Sequence, residues 1–196
     1  TALQRLLRQP DVLQEVEEVI VTEKLHGANA RYVHDGTRLW VGSRTQIKKE
    51  NPDVVWWKVA HELELADRLS IEPMRVFFGE VFGQVQDLKY GHEGKNTASF
   101  RVFDVFDIRE GRYLDQVEAE NAARLCGLQW VPTLFRGSWD PQIVDDLAEG
   151  RTTILGADNV REGFVVKPIR ERFDDRVGRV ILKMHGQGYL LRKKRK

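Results

Sequence analysis

The sequence predicts an α+β fold, and three features carry that reading. Runs rich in Val, Ile, Phe and Tyr recur at strand length, an Asp-Gly pair sits between two of them, and helical periodicities interrupt the runs without alternating with them one for one. Regular βαβ alternation would have pointed to a parallel sheet, whereas hairpins with inserted helices point to antiparallel ones. In order along the chain, residues 19–22, 28–34 and 38–43 are β-rich, and HDGTR (34–38) supplies a hairpin turn between the last two. From Asp53 to Leu69 apolar residues recur at helical spacing (Val55, Val59, Leu63, Ala66) behind the start signals Asn51, Pro52 and Asp53, which predicts one helix. MRVFFGEVFG (74–83) and SFRVFDVFDI (99–108) read as strands joined by a polar surface loop, QDLKYGHEGKNTA. Residues 114–126 and 141–147 read as helices, 128–135 as a strand, and REGFVVKP and GRVILKMH as two closing strands.

Composition narrows the class. With 196 residues and 41% hydrophobic content the chain can bury a sizeable core, and no repeat or linker divides it before the final basic run. Thirty-one Lys and Arg against 30 Asp and Glu leave a net charge of +1, which excludes a globally basic nucleic-acid binder, so any electrostatic grip is local. No apolar run approaches the roughly 18 to 20 residues that span a bilayer, and the start lacks a signal-peptide core, so a cytoplasmic protein is expected. The single cysteine, Cys126, excludes disulfides within the chain and cysteine-based zinc clusters, and its apolar setting predicts a buried small hydrophobe.

The stretch VTEKLHGANARY is the most informative. Lys24 follows an apolar strand and Gly27 permits a tight turn before β-type residues resume at Ala30, a junction that suits a nucleophile. Lysine attacks only as the neutral amine, and desolvation or nearby positive charge favours that form. Lys167 and Lys183, at the ends of late strands, are the candidate cationic neighbours. Glu80, inside FFGEVFG, and Glu162, before an apolar run, need partners: an arginine such as Arg44 or Arg161, a ribose hydroxyl for Glu80, or a hydrated Mg²⁺ for Glu162. Phe103 either belongs to the core or presents its ring to a purine. Trp56 and Trp57 are adjacent on the predicted helix, so at least one is expected to face outward, against a neighbouring loop or an RNA base. His34, His61 and His92 lack ligand spacing, and GHEGKN lacks the form of a P-loop.

Taken in order, EKLHGAN, SRT (43–45), FFGEVFG, FRVFDVFD, EGFVVKP and VILK resemble the motifs of the covalent nucleotidyltransferase superfamily of polynucleotide ligases and capping enzymes. Within it, the K-x-H-G-x-N form with Glu before the lysine resembles the RNA ligase 2-like branch. The resemblance implies a nucleotidyltransferase domain over residues 1–191, ATP-grasp-like as in DNA ligase adenylation domains, with antiparallel sheets flanked by helices around a nucleotide cleft, and a basic tail at 192–196. It implies an ATP-dependent RNA ligase that uses Mg²⁺ or Mn²⁺ to seal 3′-hydroxyl and 5′-phosphate RNA ends through a lysyl-AMP intermediate and an RNA-adenylate. Lys24 would be the nucleophile, Glu23 and Asn29 would line the nucleotide pocket, and His26 would act after adenylylation. Arg44 would contact the nucleotide or the RNA end, Glu80 the ribose and Phe103 the adenine. Glu162 would position the metal and, with Lys167 and Lys183, order the phosphates.

Nicked or broken RNA ends, an end-processing kinase or phosphatase, a monomeric state and no membrane complete what the resemblance implies, with RNA repair as the setting. Two departures stand out. His185 occupies the place where many relatives carry a second lysine, so either it substitutes when protonated or Lys167 does more of the phosphate work. Only residues 186–196 follow it, too few for the additional C-terminal domain common in this branch, so RNA affinity is expected to be weak or supplied by a partner. The RKKRK tail offers phosphate-backbone contact or is a solvated terminus. The competing readings are a DNA ligase or GTP-dependent capping-type enzyme on the same motifs, and a non-catalytic RNA-end binding module.

Overall fold

The computed structural model describes residues 4–8, 11–14, 17–90 and 98–193; part of the expected surface loop (91–97, with His92) and the end of the basic tail (194–196) lie outside them. The strands are β1 (Gln4–Arg5), β2 (Glu18–Glu23), β3 (Ala28–His34), β4 (Leu39–Ser43), β5 (Arg75–Gly83), β6 (Ala98–Asp107), β7 (Arg112–Tyr113), β8 (Thr133–Ser138), β9 (Gly163–Pro168), β10 (Phe173–Asp174), β11 (Gly178–Arg179) and β12 (Leu182–His185). The α-helices are α1 (Val55–Glu62), α2 (Leu65–Leu69), α3 (Gln116–Leu125), α4 (Val144–Ala148) and α5 (Gln187–Lys193). Two compact units result, one from Thr1–Leu25 with Pro132–Lys196 and the other from His26–Val131.

The first unit is built on the sheet β1-β12-β9-β2-β8, antiparallel except for the short β1–β12 pair. Val19 and Val21 of β2, Phe164 and Val166 of β9 and Leu182 of β12 share a buried face with Trp139 and Ala148. Strand alternation then sends Ile20, Thr22, Val165, Lys167 and Lys183 to the opposite face. β10 and β11 form a separate hairpin.

The second unit carries the antiparallel sheet β4-β3-β5-β6-β7. Ala30, Tyr32, Phe77, Val81, Phe100 and Val102 pack against Val59 and Ala60 of α1, Leu65 and Leu69 of α2, and the alanines of α3. Cys126 belongs to this core, and burial pushes its thiol up to about 11, so it is a small apolar side chain there. The Asp-Gly hairpin forms where expected: the Asp35 carboxylate accepts the Trp40 indole N–H at 2.6 Å and the amides of Arg38 and Thr37 at 2.9 and 2.8 Å, which hold it down at about 2. In the β5–β6 ladder Phe78 faces Asp104 and Gly79 faces Val102, so Phe103 is the extra residue of a β-bulge. The bulge shifts the alternation, with Phe100 and Val102 in the core before it and Val105 after it, and leaves Phe103 half-buried outside that core.

Three expectations about elements change. The helix expected over 53–69 is two helices, because Glu64 adopts a left-handed backbone (φ 52°) that a continuous helix does not tolerate. The strand expected at 128–135 forms at Thr133–Ser138, while residues 129–131 run beside β6 through bonds from Val102 N–H to Gln129 O and from Val131 N–H to Val102 O. One apolar run thus serves two sheets. The closing strand at 178–185 is likewise divided between β11 and β12. Among the described residues no helix is long and apolar enough to cross a membrane.

At the end of β6, Asp107 accepts the amides of Arg109 (2.9 Å) and Glu110 (3.1 Å) and the Arg75 Nε–H (3.1 Å). Burial alone would raise its pKa, but these bonds outweigh burial and lower it below the ordinary 3.8. A lowered carboxyl stabilises the fold above its unfolded value and loses that contribution as the pH falls through its folded one. Asp107→Asn is therefore expected to destabilise the protein at neutral pH by about 1–3 kcal/mol. In urea unfolding across pH, the gap from wild type should close as the medium becomes more acid than the carboxyl's folded value; a gap independent of pH would contradict this.

Candidate active site

In the first unit Lys24 directly follows β2, and its amide N–H extends the β2–β9 ladder by donating to Gly163 O at 3.0 Å. Its ammonium Nζ lies 2.8 Å from Glu162 Oε1, and that carboxylate is only 6% exposed. Gly163, next to Glu162, has φ +142°, and a Cβ there would sit 2.0 Å from the Met184 carbonyl oxygen, so only glycine brings β9 this close to β12. His185, opposite Gly163 in register, places Nε2 3.5 Å from the same Glu162 oxygen and stacks on Tyr189. Glu162 is thus shared by the expected nucleophile and by the histidine that stands in for a second lysine. Arg161 donates instead to the carbonyls of Leu147 and Glu149, so the arginine partner considered for Glu162 is not this one.

Lys167 and Lys183 share the face of the sheet opposite the core. Lys183 pairs with Val165, two residues from Lys167, which makes the lysines diagonal neighbours. Lys167 is 5% exposed, with Nζ 3.4 Å from Glu171, and Glu171 is gripped by Arg179 through two bonds of 2.6 Å. This group of two cations and one carboxylate was not legible in the sequence, because β10 and β11 are too short to announce the turn that carries Glu171 back to the sheet. Glu23 is 2% exposed, and its oxygens accept from Thr152 Oγ1 (2.5 Å), Thr153 N–H (2.8 Å) and Thr153 Oγ1 (2.7 Å). These bonds fasten the segment before β9 beneath the end of β2.

In the second unit the turn resumes at His26 and Gly27. The His26 amide donates to the Tyr90 hydroxyl oxygen at 2.8 Å, the Gly27 amide donates to Glu80 Oε1 at 3.0 Å, and His26 Nε2 lies 2.8 Å from Asp87 Oδ1. A Cβ on Gly27 would fall 2.1 Å from the Val81 carbonyl oxygen, so the close approach of the turn to β5 requires glycine. Asn29, Glu80 and Arg101 are consecutive register partners across β3, β5 and β6 and lie on the sheet face opposite the core. Phe103 shares their strand and lies outside the core through the bulge. Arg44 is exposed just after β4. Trp57 is buried and its indole donates to Lys48 O, whereas Trp56 is half-buried and donates to Asn29 O, so both are anchored to neighbouring backbone.

Each unit thus gathers its share of the expected residues: Lys24, Glu162, Lys167, Lys183 and His185 in one, His26, Asn29, Glu80 and Phe103 in the other. Asp87 and Tyr90 were missed because they lie in a stretch whose polar, glycine-containing composition reads as loop. A buried tyrosine there, edge-on to Phe82, becomes evident only from tertiary contacts. Among the described residues no three His, Cys, Asp or Glu side chains converge as a metal cage. The lone carboxylate Glu162 suits instead a hard cation that completes its shell with water and phosphate oxygens, as Mg²⁺ does.

Comparison with known proteins agrees with this geometry. A family model described as RNA ligase matches residues 17–185. Three solved structures of the Naegleria gruberi RNA ligase are similar over 100% of this chain and 58% of theirs. A lysine-to-alanine mutant with ATP and Mn has 20% identity and a TM-score of 0.82, the ligase with pyrophosphate 21% and 0.82, and a glutamate-to-alanine mutant with AMP and Mn 19% and 0.83. At this identity the likeness establishes the fold, and the chain spans a little over half the length of those proteins. No curated protein matches.

Gly27→Ala is expected to force the turn away from Val81 and to destabilise the protein by about 1–3 kcal/mol, the usual cost of overpacking. Thermal unfolding tests this, and an unchanged midpoint would show that the turn has room the geometry denies it.

Proposed function

This chain belongs to the RNA ligase family, and from that premise we propose that it is the nucleotidyltransferase part of an ATP-dependent RNA ligase that works through a lysyl-AMP intermediate. The observation that carries the reading is the Lys24–Glu162 pair, 2.8 Å apart, with Lys167 and Lys183 on the neighbouring sheet face. Lys24 sheds its ammonium proton, Nζ attacks the α-phosphorus of ATP, the bond to the β-phosphate oxygen breaks and pyrophosphate leaves. A second nitrogen-bound proton is lost as the phosphoramidate forms. Lys167 and Lys183 neutralise negative charge on the phosphates, where fixed cations count most in phosphoryl transfer. Glu162 is the residue that would hold Mg²⁺ or Mn²⁺, whose chemistry there is to neutralise phosphate charge. Drawn toward such an ion, the Glu162 carboxylate would also release Lys24 from the ion pair.

The nucleoside falls to the second unit: Glu80 accepts from the ribose, Asn29 lies beside it in register, and Phe103 stacks on the adenine. Arg44 contacts the nucleotide or the RNA end. Glu23 shapes the nucleotide site indirectly, since its oxygens are already bonded to Thr152 and Thr153. In this reading residues 1–191 act as one nucleotidyltransferase domain. Basic residues at 192–196 meet the RNA backbone, although Arg192 and Lys193 belong to α5 and Arg192 lies over the Tyr189 ring. After adenylylation, AMP passes from Lys24 to the 5′-phosphate of a nicked or broken RNA in a step that uses His26. Attack by the 3′-hydroxyl then joins the ends and releases AMP.

Incubation with α-labelled ATP or GTP and Mg²⁺, followed by denaturing electrophoresis, tests the first step. Label from ATP alone, labile to acid, stable to base and absent from Lys24→Ala, is the expected result. Lys183→Ala should label at least tenfold more slowly, as for the loss of one charge-stabilising donor. Label from GTP would move the chain to capping chemistry, and no label from either nucleotide in folded protein would leave an RNA-end binding module.

A further inference from the structure

We propose that Asp87 is a positioning residue for His26, fixing which imidazole nitrogen is free for chemistry; the proposal rests on the role of His26 given above. The segment that follows β5 grips the turn at two points. Tyr90, buried and edge-on to Phe82 at 5.3 Å, receives the His26 amide, and Asp87 receives the His26 ring. Lys89 Nζ closes the same segment on Gln84 O at 3.2 Å, and Glu80 holds the next amide, that of Gly27. The His26 ring is 15% exposed, so its surroundings restrict it, whereas Asp87 is 37% exposed and has no need of an imidazole to satisfy its charge. The pairing serves the histidine.

A carboxylate only accepts, so His26 Nε2 carries the hydrogen of the 2.8 Å bond and Nδ1 is left with the lone pair. The same carboxylate stabilises the imidazolium when Nδ1 takes a proton. AMP transfer to RNA requires such a group: a 5′-phosphate oxygen bonds to the adenylyl phosphorus, the phosphorus–nitrogen bond to Lys24 breaks, and the departing nitrogen gains one proton. His26 Nδ1–H⁺ is the donor, and Asp87 holds the ring in the tautomer and orientation from which it can donate. Lysyl-AMP formation has no use for this arrangement, so Asp87 separates the two steps.

The test follows lysyl-AMP formation and single-turnover AMP transfer to a 5′-phosphorylated nicked RNA duplex in wild type, Asp87→Ala, Asp87→Asn, His26→Ala and the double alanine variant. For Asp87→Ala, lysyl-AMP formation should stay near the wild-type rate while AMP transfer falls about 10- to 100-fold, the usual loss when a histidine's orienting partner is removed. Asp87→Asn, whose amide oxygen still accepts from Nε2–H, should recover part of that loss. The double variant should be no slower than His26→Ala alone. Two-bond ¹H–¹⁵N spectra of the free protein should show the Nε2–H tautomer of His26 in wild type and a mixture in Asp87→Ala. Normal transfer in Asp87→Ala, additive losses in the double variant, or an unchanged tautomer would each overturn the proposal. Absence of lysyl-AMP in wild type would overturn the ligase reading, and the tautomer would still report whether Asp87 orients His26.

Discussion

A carboxylate as buried as Glu162 must be met by a cation, and this requirement organises the first unit. The cation is Lys24, and the pair forms only because the chain on either side is held to the sheet. The Lys24 amide bonds to Gly163 O, and Gly163 brings β9 so near to β12 that no side chain fits between them. A lysine placed at the end of a hydrogen-bonded ladder loses little further entropy on reaching a fixed phosphorus, which is the advantage of mounting a nucleophile on a sheet rather than on a loop. The ion pair also guards the amine, because the nucleophile is generated only when something else claims the carboxylate.

The same economy recurs in the polar groups around this pair. Glu23 lies beside Lys24 in sequence but on the other side of the strand, and there it fastens the Thr152–Thr153 segment instead of meeting solvent. Lys167 is buried beside Glu171, which is itself bound by Arg179, so two cations share one carboxylate. That arrangement leaves an excess of positive charge beneath the sheet face at modest desolvation cost. His185 adds a ring near Glu162 where many relatives carry a lysine, and its stacking on Tyr189 ties it to the last helix.

The second unit handles its own end of the turn by a different device. Gly27 is pressed against Val81 O, and Tyr90, Glu80 and Asp87 each take one hydrogen-bonding group of His26 or Gly27. Backbone N–H groups in so close a turn have no strand to pair with, so side chains from the adjoining strand and its following segment must satisfy them. The β-bulge at Phe103 belongs to the same logic, since an extra residue in the ladder keeps a large aromatic out of the core on an otherwise regular strand.

Much of this was open to a reader of the chain alone. Period-two runs, the Asp-Gly hairpin and the helical spacing of α1 and α3 follow from local rules. The lysine-turn-glycine pattern with its distant glutamates and lysines is a matter of residue identity and order. The left-handed break at Glu64 was not legible, nor was the division of residues 128–138 between two sheets, because both depend on which distant strands claim the apolar side chains. The partners of the charged groups were equally hidden. Glu162 finds Lys24 rather than an arginine, Glu23 turns inward to two threonines, and Asp87 finds His26 from 61 residues away. Hydrophobic pattern is a property of neighbours along the chain and can be read there, whereas a buried charge chooses its partner by distance and desolvation, which exist only once the chain has folded.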